Sequence, residues 1–155
     1  MSAWVLYALL AAVSAAFVGI FSKVGIVGID STLATSLRGL IIGVFMGAAA
    51  LFLGKWDAIA ETTPKAFLFI FLAAIAGGLS WLWGFMALKA GGDVMAVNAL
   101  DKLSLLLVVV FAILFLGEEF TWMKLFGAVM IVIGTILVSF KPEQIVRFFG
   151  WTKII

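Results

Sequence analysis

"WVLYALLAAVSAAFVGIFS", Trp4 to Ser22, runs for 19 residues without a charge and ends at Lys23. Crossing the hydrocarbon core of a bilayer, about 30 Å, takes roughly 20 apolar residues in a helix. A secretory signal is shorter and carries basic residues ahead of its apolar part. No Lys or Arg precedes Trp4, so the run is a membrane helix. Four more runs of the same kind follow: Ser31 to Gly54, Pro64 to Leu88, Asp93 to Gly117, and Thr121 to Phe140. The expectation is an all-α integral membrane bundle of five transmembrane helices.

Composition agrees. Two thirds of the 155 residues are hydrophobic (66%) and 12% are charged. With a mean hydropathy of +1.32, a water-soluble domain of this size has no core large enough to hide them. Sixteen glycines beside two prolines suit membrane helices that pack closely. Cysteine and histidine are absent, which removes disulfides, thiol nucleophiles, Cys/His zinc sites and histidine bases. No nucleophile–base pair, metal cluster or cofactor loop stands out, so no enzyme, metal or cofactor is expected. The net charge is +2, but the basic residues lie scattered between apolar runs and form no nucleic-acid patch. They are topology signals.

The helix limits have local causes. Asp30 and Ser31 offer cap oxygens to the second helix, and Thr62 to Pro64 offers a cap followed by proline, which suits a first helical position. "LKAGGD", Leu88 to Asp93, combines glycines for a helix end with an aspartate for the next start. It makes the third and fourth helices antiparallel neighbours, as "GEEFT", Gly117 to Thr121, does for the fourth and fifth. Only "KWDAIAETTPK", Lys55 to Lys65, is a loop of any length. The membrane domain is expected over 1–141. Beyond it, 142–155 mixes apolar and basic residues after Pro142, and two readings stay open, an interfacial segment or a disordered tail.

Gly39, Gly43 and Gly47 recur every four residues, a tandem small-residue stripe that lets another backbone approach. The expectation is a close helix contact, within the chain or with a second copy. Trp4, Trp56, Trp122 and Trp151 sit where interfacial anchors belong. Trp81 and Trp83 lie inside the third run and need partners for their indole N–H groups. For Trp83 the expected partner is a neighbouring helix; Trp81, beside Ser80, is expected to wall a partly wet cavity.

Asp101 and Lys102 fall inside the fourth run. In a continuous helix starting at Asp93, Asp101 lies roughly 12 Å along the axis. Asn98 shares a face with both, being three and four residues away. Successive residues point about 100° apart, so each charge is expected to find its own partner: Arg38 for Asp101, water or a carbonyl for Lys102. A charge facing lipid at the helix centre costs about 2.5–3.5 kcal/mol. The charges therefore face protein or a wet cavity, and Asn98, Asp101 and Lys102, with Arg38, Ser80 and Trp81 nearby, are the candidate substrate path. A structural ion pair is the plainer alternative.

The stretches "ALLAAVSAAFVGIFSKVGI", "LATSLRGLI", "LSWLWGFMALKAGG" and "NALDKLSLLLVVVFAILFLGEEFTWMKLFGAVMIVIGTILV" together resemble one five-helix half of an EamA-like member of the drug/metabolite transporter superfamily. The similarity reaches about Phe140, and "FLGE", Phe115 to Glu118, followed by Gly127 and Gly134 carries most of it. Members commonly have two inverted five-helix halves and export metabolites, amino acids or drugs. The resemblance thus implies a transporter of small molecules in the cell membrane, with a second copy of the chain standing in for the missing half. Small multidrug-resistance exporters are an alternative, but they typically place an essential acid in the first helix, where Trp4 to Ser22 has none. A non-transporting membrane subunit is another. An antiparallel homodimer needs little charge bias between the two faces. Lys55, Lys65 and Lys124 on one side balance Lys23, Lys89 and Lys141 on the other; Arg147 and Lys153 tip the count toward a cytoplasmic C-terminus.

Overall fold

The computed structural model describes residues 2–140; the tail expected over 142–155, with Trp151, lies outside the described residues. Six α-helices follow in order: α1 Ala3–Gly25, α2 Ser31–Phe52, α3 Pro64–Lys89, α4 Val94–Asp101, α5 Ser104–Leu116 and α6 Trp122–Ser139. A 3₁₀ turn, Trp56–Glu61, interrupts the long loop. With α4 and α5 taken as one span, five segments are long and apolar enough to cross a membrane.

The helices bury little of themselves. Phe52 is 88% exposed, and among the described residues the buried apolar side chains are only Ile26, Phe85, Leu88 and Ala128. In water such a surface would be an aggregation liability; a lipid solvent is the condition under which it is stable. Polar groups accordingly satisfy themselves locally, as lipid requires. The hydroxyls of Ser14, Thr35 and Ser36 donate to the carbonyls of Leu10, Ser31 and Thr32, at 2.9, 2.8 and 2.8 Å.

The chain forms two compact units, divided after Gly91. In the first, α3 packs against both α1 and α2. Asp30 stands at the N-cap of α2, where its Oδ1 accepts from the N–H groups of Thr32 and Leu33 at 2.8 and 3.2 Å. Thr63 caps α3 by accepting from the Ala66 N–H at 3.2 Å, with Pro64 as the first helical residue. Both starts are as expected. At the far end of α3, Lys23 of α1 donates from Nζ to the Leu88 carbonyl at 3.1 Å. That oxygen, in the last turn of α3, also accepts from the Gly91 N–H at 3.4 Å, and the α1 lysine adds a charge of the sign a helix C-terminus favours. Lys89 pairs with Asp30 at 3.8 Å, and these contacts bring the end of α1, the start of α2 and the end of α3 together. Trp56 folds back on α2, its Nε1 donating to the Gly47 carbonyl at 3.1 Å.

In the second unit α6 packs along both α4 and α5, and Ser139 Oγ donates to the Ala96 carbonyl at 3.4 Å. The hairpin between α5 and α6 turns on Gly117, at φ 66°. The turn that precedes α4 uses Gly91, at φ 101°. Asp93 occupies the N-cap position of α4 with extended backbone, but its side chain makes no cap hydrogen bond, so position and chemistry part company there.

The fourth span departs from expectation: it is two helices. Across the break, the N–H groups of Lys102, Leu103, Leu105 and Leu106 donate to the carbonyls of Ala99, Leu100, Lys102 and Leu103, at 2.9, 3.0, 3.0 and 3.1 Å. All four bonds run three residues back, so the helix tightens to 3₁₀ geometry around Asp101 and Lys102. A 3₁₀ segment within a helix marks strain or a hinge.

Candidate functional site

The candidate residues form two groupings, one in each unit. In the first, the guanidinium carbon of Arg38 sits 4.3 Å from the centre of the Trp81 ring. Arg38 is seven residues into α2, about 10 Å along the axis. Trp81 lies eight residues before the end of α3, about 12 Å inside it. The arginine therefore leans on the indole face, a cation–π arrangement. It forms none of the ion pairs among the described residues; Asp101, the partner expected for it, pairs with Lys102 within its own unit. Ser80 is exposed. Trp83, expected to be held by a neighbouring helix, is 63% exposed: its position in α3 turns it toward the surrounding solvent.

Arg38 also borders a cavity of about 450 Å³ walled by residues of α1, α2, the turn between them and α3, among them Val18, Phe21, Leu37, Ile42 and Phe85. Sequence reasoning missed this cavity and the buried Phe85. Apolar residues of three different helices carry no one-dimensional sign that they will surround a space. A smaller cavity of about 330 Å³ lies at the end of the unit, lined by Asp30, Ser31, Thr32, Met86, Lys89 and Ala90. There the N–H groups of Leu33 and Thr32, with Lys89 adding its charge, hold the Asp30 carboxyl below the usual carboxylate value.

In the second unit Lys102 Nζ pairs with Asp101 Oδ2 at 3.2 Å. The expectation of separate partners took the angle between successive residues as decisive; the long, flexible lysine side chain reaches its neighbour regardless. Both remain more than half exposed, 59% for the lysine and 53% for the aspartate. Asn98 is part-buried, and its side-chain amide donates to the Val94 carbonyl at 2.8 Å, which leaves its side-chain oxygen available as an acceptor.

The glycine stripe is open. A Cβ placed at Gly39 or Gly43 meets nothing within 4 Å, and at Gly47 it meets only the Trp56 ring, at 3.8 Å. The close helix contact expected of the stripe is thus not made by the described residues of the same chain.

Comparison with known proteins places these features in a family. The profile of the EamA-like transporter family matches residues 2–140. The chain is 39% identical over 136 residues to a Sinorhizobium sp protein named "Uncharacterized transporter in cobO 3'region", an alignment that takes in 88% of this chain and 96% of the relative. No solved structure matches. With five spans able to cross a membrane and a family match running from residue 2 to residue 140, the chain is a multi-pass membrane protein belonging to the EamA-like transporter family.

Proposed function

We propose that this protein is a secondary transporter that exports small metabolites, amino acids or drugs across the cell membrane, and that it works as an antiparallel homodimer. The observation that carries the reading is the charged pair Asp101–Lys102 at a break in a membrane span. Ionisable residues and irregular backbone at membrane depth are tolerated where they line a water-filled path or are covered by protein. Counted along their own helices, Arg38 and Trp81 lie about 10–12 Å from the start of α2 and the end of α3, and Asp101 and Lys102 about 10–12 Å from the start of α4; Asn98 and Ser80 are the further polar candidates for the path.

The homodimer has two supports. The relative is covered over 96% of its own length, so one five-helix unit accounts for nearly all of that protein. Lys55, Lys65 and Lys124 on one side are balanced by Lys23, Lys89 and Lys141 on the other, the low bias that insertion in both orientations requires. The open stripe at Gly39, Gly43 and Gly47 is the proposed contact.

The test begins with thermal stabilisation of the purified protein across amino acids, sugars and cations, and proceeds to flux of the stabilising compound in liposomes. Asp101→Asn and Lys102→Gln should abolish flux with the protein still folded. Full flux in both variants, with only a lower melting temperature, would make the pair structural and sink the assignment of a path.

A further inference from the structure

Among the described residues, the larger cavity is bordered by one charge and no counter-charge. Of the side chains that line it, only those of Arg38 and Ser22 are polar; the rest are apolar or glycine. Its volume of about 450 Å³ falls within the range of small-molecule pockets. Such pockets commonly combine apolar walls with a few polar groups that orient the ligand.

Arginines inside a membrane pair with an acid or a carbonyl, or face water. Among the described residues Arg38 is in no ion pair, and the acids that form one do so elsewhere: Asp30 with Lys89, Asp101 with Lys102, and Glu118 with Lys124. The Trp81 ring stabilises the guanidinium face without neutralising it, and leaves the N–H donors around its edge free to grip an oxyanion in pairs. Because the side chain is pinned to an indole about 12 Å inside α3, it is poorly placed for a lipid headgroup, which stays at the interface.

We propose that this cavity binds a small amphipathic carboxylate, its carboxylate group held by Arg38 and its aryl or alkyl body lying against Val18, Phe21 and Phe85. The inference rests on the transporter reading and names the substrate class. A neutral or cationic compound of the same shape satisfies the walls but leaves the guanidinium without a partner.

Binding is measured by calorimetry on the full chain in phosphatidylcholine nanodiscs, so that it does not depend on flux. The probes are phenylacetate, naphthylacetate and octanoate, each beside its neutral amide. At least one carboxylate should bind saturably, its amide at least about tenfold more weakly, as loss of a charge-assisted hydrogen bond predicts. Arg38→Gln should weaken the carboxylate by a similar factor, and Arg38→Lys should recover part of it. Ile42→Trp, which fills the cavity and keeps the arginine, should also lose binding and covers the case in which Arg38→Gln fails to fold. Equal affinity for acid and amide, no binding by any of the three acids, or displacement of the acid by phosphatidylglycerol in the disc would each overturn the proposal, the last by making the cavity a lipid site. Flux of some other compound without binding of these acids refutes this inference alone. Binding of the acid with no flux of it or of any compound that stabilises the protein refutes the transporter reading alone.

Discussion

Gly43→Leu separates what the fold needs from what a second copy needs. Within the chain a side chain at Gly43 meets nothing within 4 Å, so the substitution has no steric cost there. Replacing an interior helical glycine by alanine gains roughly 0.5–1 kcal/mol through lost unfolded-state freedom, and Gly39→Ala and Gly43→Ala should stabilise the isolated chain on that scale. Gly47→Ala fits as well, since the nearest atom, Trp56 Cζ2, stands at an ordinary 3.8 Å. Gly47→Leu is different: it displaces the indole and breaks the Nε1 bond to the Gly47 carbonyl, a loss of about 1 kcal/mol. Against this in-chain ledger, a leucine at Gly43 holds two backbones apart if the stripe is the dimer contact. A dimer weakened tenfold corresponds to about 1.4 kcal/mol, somewhat larger than the in-chain effect and opposite in sign. The assay is the dimer fraction by single-molecule photobleaching across a dilution series in lipid, beside the melting temperature. An unchanged dimer curve for Gly43→Leu refutes the stripe as the contact, and a lowered melting temperature for Gly43→Ala refutes the premise that the space is open.

Gly117→Ala forces a residue with a Cβ to hold φ 66°, which costs roughly 1–2 kcal/mol and should lower the midpoint of denaturant unfolding; no shift would mean the hairpin re-forms without left-handed backbone. Asp30 has its pKa lowered from 3.8 in the folded protein, so its stabilisation is present in full above that ordinary value and disappears as pH falls through the lowered one. The acid limb of the melting temperature should therefore be shallower in Asp30→Asn than in the parent, and identical limbs would assign the acid loss to other carboxylates. A C-terminal reporter fusion should signal from both compartments; signal from a single side excludes dual insertion.

The number and type of the spans were legible because a bilayer imposes a length, and no charge interrupts Trp4 to Ser22. Caps were legible where a single residue supplies the chemistry, as Asp30 and Thr63 do. Asp93 shows the limit: the residue type and backbone suit a cap, yet its side chain makes no cap bond. What sequence periodicity could not carry is any contact between helices far apart along the chain. Arg38 and Trp81 are 43 positions apart, and both apolar faces and small residues recur around α1, α2 and α3, so several rotations of each helix satisfy the pattern equally. Only packing selects the one that brings guanidinium over indole and leaves a cavity beside it.

The break at Asp101–Lys102 was hidden for a different reason. Val94 to Leu116 has no proline and no interior glycine, the residues that ordinarily break a helix, so local propensity favours a single rod. The bonding shows tightening instead of rupture: four donors reach three residues back, a geometry that ordinary residues adopt at modest loss. The same tightening moves adjacent side chains from about 100° apart to about 120°, which by itself separates them; the 3.2 Å pair therefore depends on the length and flexibility of lysine. A pair made in this way is easily unmade. If the fourth span straightens, Asp101 and Lys102 can release each other without breaking any bond between helices, the freedom that the proposed path asks of them.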